Sequence, residues 1–328
     1  LVTVYNTFLG SILNQVPLVD KTWLQAAERD RLANTVVEIY QKTREKFTVD
    51  DRRHYLFTPR DMTLWVRNLC RYDLSSENLL DVVSHEACRI FRDRLVGAEA
   101  CSKFDQQLSG ILRTQFRFTM GLQDSYFTSL TSARGTQNSG PAASEGKEGE
   151  DLAALMGGKL NRMSEEDFKK LVSQGLMYYE REERDINMLL CQESMEHVAH
   201  IDRIFSSFKG HVLLVGRCGV GRRNAATIAS YMLGYEFYTP AVSRDYGPKQ
   251  FIADAKIVSQ TAGVKGEHVV LFLEDFQFTS DSMLEMVNSL LSSGEIPGMY
   301  SHEELEPLLA PLKEGMREEG TYRTAYEY

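Results

Sequence analysis

No apolar run in this chain approaches the ~20 residues that a bilayer-crossing helix needs, so no membrane-spanning helix is expected. Cysteine is sparse. The five, Cys70, Cys88, Cys101, Cys191 and Cys218, are scattered, odd in number and without a C-x-x-C pair, and read as reduced intracellular thiols. Positive charge is also short: 37 Lys and Arg against 46 Asp and Glu give a net charge of −9. That balance argues against a large phosphate-neutralising surface, and hence against nucleic acid as the principal partner. His197 and His200 stand three apart with Val198 and Ala199 between them, whereas a zinc-hydrolase helix needs its histidines four apart with a Glu after the first. No metal site is expected there. The chain begins at Leu1 without a basic or apolar leader, shows no targeting peptide, and is expected to be a piece of something longer.

What is present is material for two domains in 328 residues. Up to about residue 131 the periodicity is helical. Leu32, Val36, Ile39 and Tyr40 share one face, as do Leu80, Val83, Ala87, Ile90 and Phe91, and then Phe104, Leu108, Ile111 and Leu112. Residues 1–131 are therefore expected to form an all-α bundle. One helix start is well marked, with Thr58 as N-cap, Pro59 at the first helical position and Asp61 three residues after the cap. Arg60 is then held near the positive end of a helix dipole, where a carboxylate, a phosphate or water must satisfy it.

Residues 132–158 turn to Gly, Ser, Ala, Glu and Asn and are expected to be a flexible linker. Order resumes at Ser164-Glu165-Glu166-Asp167, which resembles a capping box. A later helix carries Met195, Val198, Ile201, Ile204 and Phe205. Residues 159–328 then alternate: a strand at His211–Val215, a helix from Arg222 to Leu233, a strand at Tyr235–Tyr238, a helix with Phe251 and Ala255, a strand at His268–Asp275, and a helix with Met283, Met286 and Leu290. Such order calls for a parallel sheet with helices on both faces. Only three strands are legible where a P-loop core usually has about five. An incomplete sheet with an unpaired edge is expected.

The chemistry concentrates in Gly216-Arg217-Cys218-Gly219-Val220-Gly221-Arg222-Arg223, directly after the first strand. A P-loop turns on glycines so that backbone N–H groups cradle phosphates, and it opens a helix whose N-terminus adds positive potential. That layout is here, but Arg222 stands at the lysine position and Arg223 at the position of the Mg²⁺-binding hydroxyl. A dinucleotide fingerprint fails, because Asn224 stands where a third glycine is needed. About fifty residues on, an apolar strand ends in Glu274-Asp275, where a P-loop NTPase carries an Asp for Mg²⁺ and then a Glu for the attacking water. The reversed order displaces each carboxylate by about 1.5 Å, one C–C bond. A misplacement of about 1 Å can cost on the order of 10²-fold in rate.

These motifs resemble the dynein heavy-chain family of the AAA+ superfamily. Lys46-Phe47-Thr48-Val49-Asp50-Asp51, His54 to Thr63 and His85 to Leu95 are similar to the helical lid of a dynein third module. Arg203-Ile204-Phe205, the phosphate loop and Met286 to Gly298 are similar to the large subdomain of the fourth, incomplete here. Gly221-Arg222-Arg223 and Ser301 to Leu308 resemble the dynein-2, or intraflagellar transport, branch.

The resemblance implies an α/β AAA+ core after an all-α lid, within an ATP-driven ring that walks on microtubules and returns cargo along cilia. Its partners would be the neighbouring modules, dynein-2 accessory chains and transport trains, and, outside this segment, the microtubule. By position, Gly216, Gly219, Gly221, Arg222 and Arg223 match the phosphate loop, Glu274 and Asp275 the metal and water carboxylates, and Arg60 the lid arginine that touches nucleotide in the third module. The implied cofactor is ATP or ADP, while the two departures argue against Mg²⁺ binding and hydrolysis in this module. Arg223 is expected to take the Mg²⁺ region and pair with Glu274 or Asp275, leaving a rigid strut. Two alternatives stand beside it: an active ATPase with Arg222 as clamp and Glu274 holding Mg²⁺ through water, and an interaction module without nucleotide.

Overall fold

The computed structural model describes residues 1–120, 125–134, 157–208 and 210–318. Most of the expected linker 132–158 lies outside the described residues. The chain divides into two compact units, residues 1–133 with 138–229 and residues 134–137 with 230–328.

The first unit opens with the helices α1 (Val2–Gln15), α2 (Ala26–Lys46), α3 (Pro59–Asn68), α4 (Leu79–Ile90) and α5 (Ala98–Phe116). The apolar faces read from the periodicity are the buried ones: Leu32, Val36, Ile39 and Tyr40 from α2, Val83 and Ala87 from α4, and Phe104, Leu108 and Leu112 from α5 are all essentially inaccessible. Each such side chain removed from water contributes about 1.5–3 kcal/mol before the entropy of ordering it is set against the gain. Trp65 is fully buried at the centre; its indole N–H donates to the Val83 carbonyl at 3.0 Å and its ring meets Phe91 edge-on. The start of α3 is built as the residues suggest. The Asp61 carboxylate accepts the Thr58 backbone N–H at 2.7 Å, and Asp61 N–H donates to the Thr58 carbonyl at 3.0 Å.

Beyond the bundle, β1 (Ser125–Thr128) pairs antiparallel with β2 (Asn161–Ser164), so the flanks of the expected linker lie side by side. Neither strand was legible. Phe127 and Leu160 enter the bundle core, joining this ribbon to it. Helix α6 (Glu165–Glu182) starts where expected, with Ser164 Oγ accepting the Asp167 N–H at 3.2 Å. Helix α7 (Gln192–Phe205) buries Met195, Val198 and Ile201. The expected strand His211–Val215 is not one. Among the described residues nothing pairs with it, and Leu213 and Val215 are 87% and 84% exposed. An apolar pentapeptide becomes a strand only when a neighbour completes its ladder.

Helix α8 (Arg222–Leu233) follows, and the second unit begins within it. There β3 (Glu236–Tyr238) and β4 (Val269–Leu271) pair in parallel, joined by α9 (Pro248–Gly263), as a parallel crossover requires. Helices α10 (Asp281–Ser293) and α11 (His302–Glu318) complete it. Its core is small: Tyr246, Phe251, Ala255, Met283 and Ile296. Asp254 on α9 accepts both Tyr238 Oη at 2.6 Å and Tyr246 Oη at 2.5 Å, which fixes both ends of the loop leaving β3.

Candidate nucleotide site

The phosphate loop has the backbone its sequence calls for. Gly219 and Gly221 have φ of +85° and +80°, a region open to glycine and strained for other residues. Helix α8 then begins at Arg222, and Ala225 N–H donates to the Gly221 carbonyl at 2.9 Å. Residues Gly216 to Val220 are exposed, so the concave side of the turn is open to an anion. Positive potential at a helix start of this kind favours phosphate.

Arg222 does not project freely. Its Nη1 donates to the Leu214 carbonyl at 3.1 Å, and its Cδ passes 3.6 Å from where a Cβ on Gly216 would stand. The Arg222 side chain is thus laid back across the loop toward Leu214. Asn224 Nδ2 donates to the Ile186 carbonyl at 3.3 Å, anchoring the first turn of α8 to the segment that precedes α7. Arg223 is half-buried on the same turn.

The carboxylates belong to the second unit. Glu274 is half-buried and Asp275 exposed, on the turn just past the C-terminal end of β4, where ligands collect in parallel α/β sheets. Arg60 belongs to the first unit and is exposed at the second position of α3; no hydrogen bond or ion pair joins it to the phosphate loop among the described residues. The helix start beside it is satisfied by Asp61, which also pairs with Arg94 at 2.5 Å.

A buried ion-pair network between the bundle and α7 was not legible. Glu86 of α4, with no exposed surface, accepts Arg203 Nε at 2.9 Å and Nη2 at 2.5 Å. Asn68 Nδ2 donates to the same carboxylate at 3.1 Å, and Tyr72 Oη donates to it as well. Beside it Arg71, 1% exposed, spends Nε on the Gly158 carbonyl (3.0 Å), Nη1 on the Arg203 carbonyl (2.8 Å) and Nη2 on Ser206 Oγ (2.8 Å). Asp202 receives Thr128 Oγ1 at 2.7 Å and the Ser129 N–H at 2.8 Å. Burial alone would raise the Glu86 pKa; the Arg203 guanidinium overcomes it and holds the carboxyl well below its ordinary range. The residue types were visible, but Glu86 and Arg203 are 117 positions apart and no local pattern pairs them.

His85 lies against this network, its ring edge-on to Tyr72 and tilted on Phe127. Burial first, and then the charge of Arg89, push its pKa down to about 3. The folded protein thus keeps His85 neutral down to about pH 3, while the unfolded chain protonates it near its ordinary value of about 6.5. Between those values the unfolded state binds more protons, so stability falls as pH drops. His200 is shifted the same way by burial and Arg89. Thermal unfolding of this chain is expected at lower temperature at pH 5 than at pH 7.5, with a slope of up to about 1.4 kcal/mol per pH unit from His85. His85→Gln should flatten that slope; an unchanged slope would remove His85 as its source.

Comparison with known proteins matches both parts of the chain to dynein heavy chains. Residues 8–101 match the family model described as the dynein heavy chain ATPase lid domain, and residues 186–328 the one described as the P-loop containing dynein motor region D4. The chain is 41% identical to a cytoplasmic dynein 2 heavy chain 1 of Tripneustes gratilla, over 99% of this chain and 8% of that protein. It is 38% identical to the human protein of that name, again over 99% of this chain and 8% of the relative. Similarity extends at 28% identity to a Caenorhabditis elegans cytoplasmic dynein heavy chain, covering 97% of this chain and 6% of the relative. The chain spans about 8% of the length of the first of these relatives.

Proposed function

We propose, since the chain belongs to the dynein heavy-chain family, that it joins the lid of one AAA+ module to part of the next module's large subdomain, and that the second module holds nucleotide without turning it over. The observation that carries this reading is a phosphate loop with its two positive-φ glycines kept, Gly219 and Gly221, and both catalytic-position side chains replaced by arginine. The glycines and the start of α8 supply the anion cradle. Arg222 takes the phosphate-clamping role of a lysine, with a planar fork that suits phosphate oxygens. Arg223 brings fixed positive charge where a hydroxyl would recruit Mg²⁺, so the metal is not needed and is poorly tolerated. Glu274 and Asp275, in reversed order, are misplaced for orienting water.

The parent polypeptide is then a microtubule-directed ATPase ring of the dynein-2 type, working in retrograde transport along cilia with its accessory chains. This segment serves that ring as a regulatory or structural strut. In the full heavy-chain motor with its other phosphate loops disabled, ATP or ADP is expected to remain bound at this loop. Its affinity should differ by less than about threefold between Mg²⁺ and EDTA, with no turnover. Turnover at this site, or binding that depends tenfold or more on Mg²⁺, would restore the active-ATPase alternative. A loop that holds no nucleotide would leave only the interaction module.

A further inference from the structure

We propose that Arg222 is the positioning residue of the phosphate loop: its guanidinium ties the entrance of the loop to its exit, so that the anion cradle stands formed before any nucleotide arrives. What the cradle holds is taken from the nucleotide-holding reading above, on which this rests. The tie itself lies wholly within the first unit and needs no ligand.

The two ends of the loop are held very differently. At the exit helix α8 is firmly packed, with Ala225 and Ala226 each 1% exposed and Ile228 at 0%. Asn224 adds its bond to the Ile186 carbonyl at 3.3 Å. The entrance has no such support: Leu213 and Val215 are exposed, and the stretch pairs with no strand among the described residues. Arg222 Nη1 reaches back to the Leu214 carbonyl at 3.1 Å, and among the described residues no other hydrogen bond meets residues 211–216. On its way the side chain runs along Gly216, with Cδ 3.6 Å and Nε 3.9 Å from where a Cβ there would stand, and Val220 Cγ2 approaches the same point at 3.4 Å. One side chain from the fixed end therefore holds the loose end, with Gly216 and Val220 gathered beside it.

Length makes this an arginine's task. A lysine side chain ends one C–N bond sooner, about 1.3 Å, which would leave its nitrogen about 4 Å from the Leu214 carbonyl, outside hydrogen-bond range. An arginine also has N–H groups to spare. Only Nη1 is engaged among the described residues, so the rest of the planar fork is left to meet phosphate oxygens while the tie holds. A loop ordered by its own chain loses less freedom when an anion binds.

The test is a brief trypsin pulse on the nucleotide-free full heavy-chain motor, other phosphate loops disabled. Cleavage after Arg217, an exposed residue within the loop, is quantified by mass spectrometry. Such cleavage reports how often a segment opens. Arg222→Lys keeps the charge and falls short of Leu214, whereas Arg222→Met removes the charge as well. Both variants are expected to be cut after Arg217 at least about tenfold faster than the parent, with cleavage elsewhere in the first unit unchanged. Saturating ADP is expected to slow the cut in parent and lysine variant alike, because an anion on the cradle opposes opening in both.

Parental cleavage in both variants, or acceleration spread through the whole first unit, would overturn the proposal. Acceleration in Arg222→Met without acceleration in Arg222→Lys would overturn it too, since charge rather than the tie would then order the loop. If ADP protects neither parent nor lysine variant while the lysine variant is still cut faster, the nucleotide-holding reading fails and the tie stands. If ADP protects both while the lysine variant is cut like the parent, the tie fails and that reading stands.

Discussion

Replacing Glu86 with alanine is expected to destabilise the first unit by about 3–5 kcal/mol, the cost of leaving a buried guanidinium without its carboxylate. Arg203 is 9% exposed and spends Nε and Nη2 on Glu86, so truncation strands those two donors together with Tyr72 Oη and Asn68 Nδ2. Such a loss is a large share of the 5–15 kcal/mol that holds a domain folded. Arg203→Ala should cost a similar amount for the opposite reason, an ionised carboxylate left in the core. The double replacement Glu86→Leu with Arg203→Met should recover part of either single loss, because an apolar pair carries no unpaired charge. Denaturant unfolding of the four proteins closes the cycle. A Glu86→Ala loss below about 1 kcal/mol would mean that water reaches Arg203 and that the pair does not hold the first unit together.

The pair also joins two stretches of the chain far apart in sequence. Glu86 sits on α4 of the lid, and Arg203 on α7, whose chain continues to the phosphate loop. Arg71 adds a second bridge of the same kind, binding the backbone of Gly158 and of Arg203 with one guanidinium.

The bundle was legible because its signal is local. Apolar residues three and four apart announce a buried face, and Leu32 to Tyr40 obeyed the rule. The cap at Thr58 and the loop at Gly216 to Arg223 were also legible, since each is a contiguous chemical pattern. What escaped depends on residues far apart. Asn161-Arg162-Met163-Ser164 has neither the apolar alternation nor the β-branched residues of a strand, and becomes one only by pairing with Ser125–Thr128. His211–Val215 erred in the other direction, with strand composition and no ladder partner among the described residues. At the candidate site the replaced side chains could be read directly, whereas the fold of Arg222 onto Leu214 and the bond from the Glu274 amide to the Gln277 side chain could not. Both are side-chain contacts to backbone atoms, and composition does not encode them.

Reinstating the ordinary motif should reveal how much of an active site survives around it. A motor carrying Arg222→Lys, Arg223→Thr, Glu274→Asp and Asp275→Glu together is expected to bind nucleotide at least about 100-fold more tightly in Mg²⁺ than in EDTA, where the parent is expected to differ by less than about threefold. The exchange moves each carboxylate by about 1.5 Å, one bond length, back to the order of the ordinary motif. The threonine supplies the missing metal-facing hydroxyl, and removal of Arg223 takes away a fixed cation that repels the ion. Nothing in the backbone should oppose this, because Gly219 and Gly221 already hold the required positive φ and Gln277 already anchors the Glu274 amide. The four changes have to be made together. Arg223→Thr alone keeps the reversed carboxylate order, and the carboxylate exchange alone keeps the arginine, so each half is expected to recover less than about tenfold. If the fourfold variant folds with a parental melting temperature and still binds nucleotide indifferently to Mg²⁺, the loss of metal binding does not reside in these four side chains, and the account of a site neutralised by arginine fails.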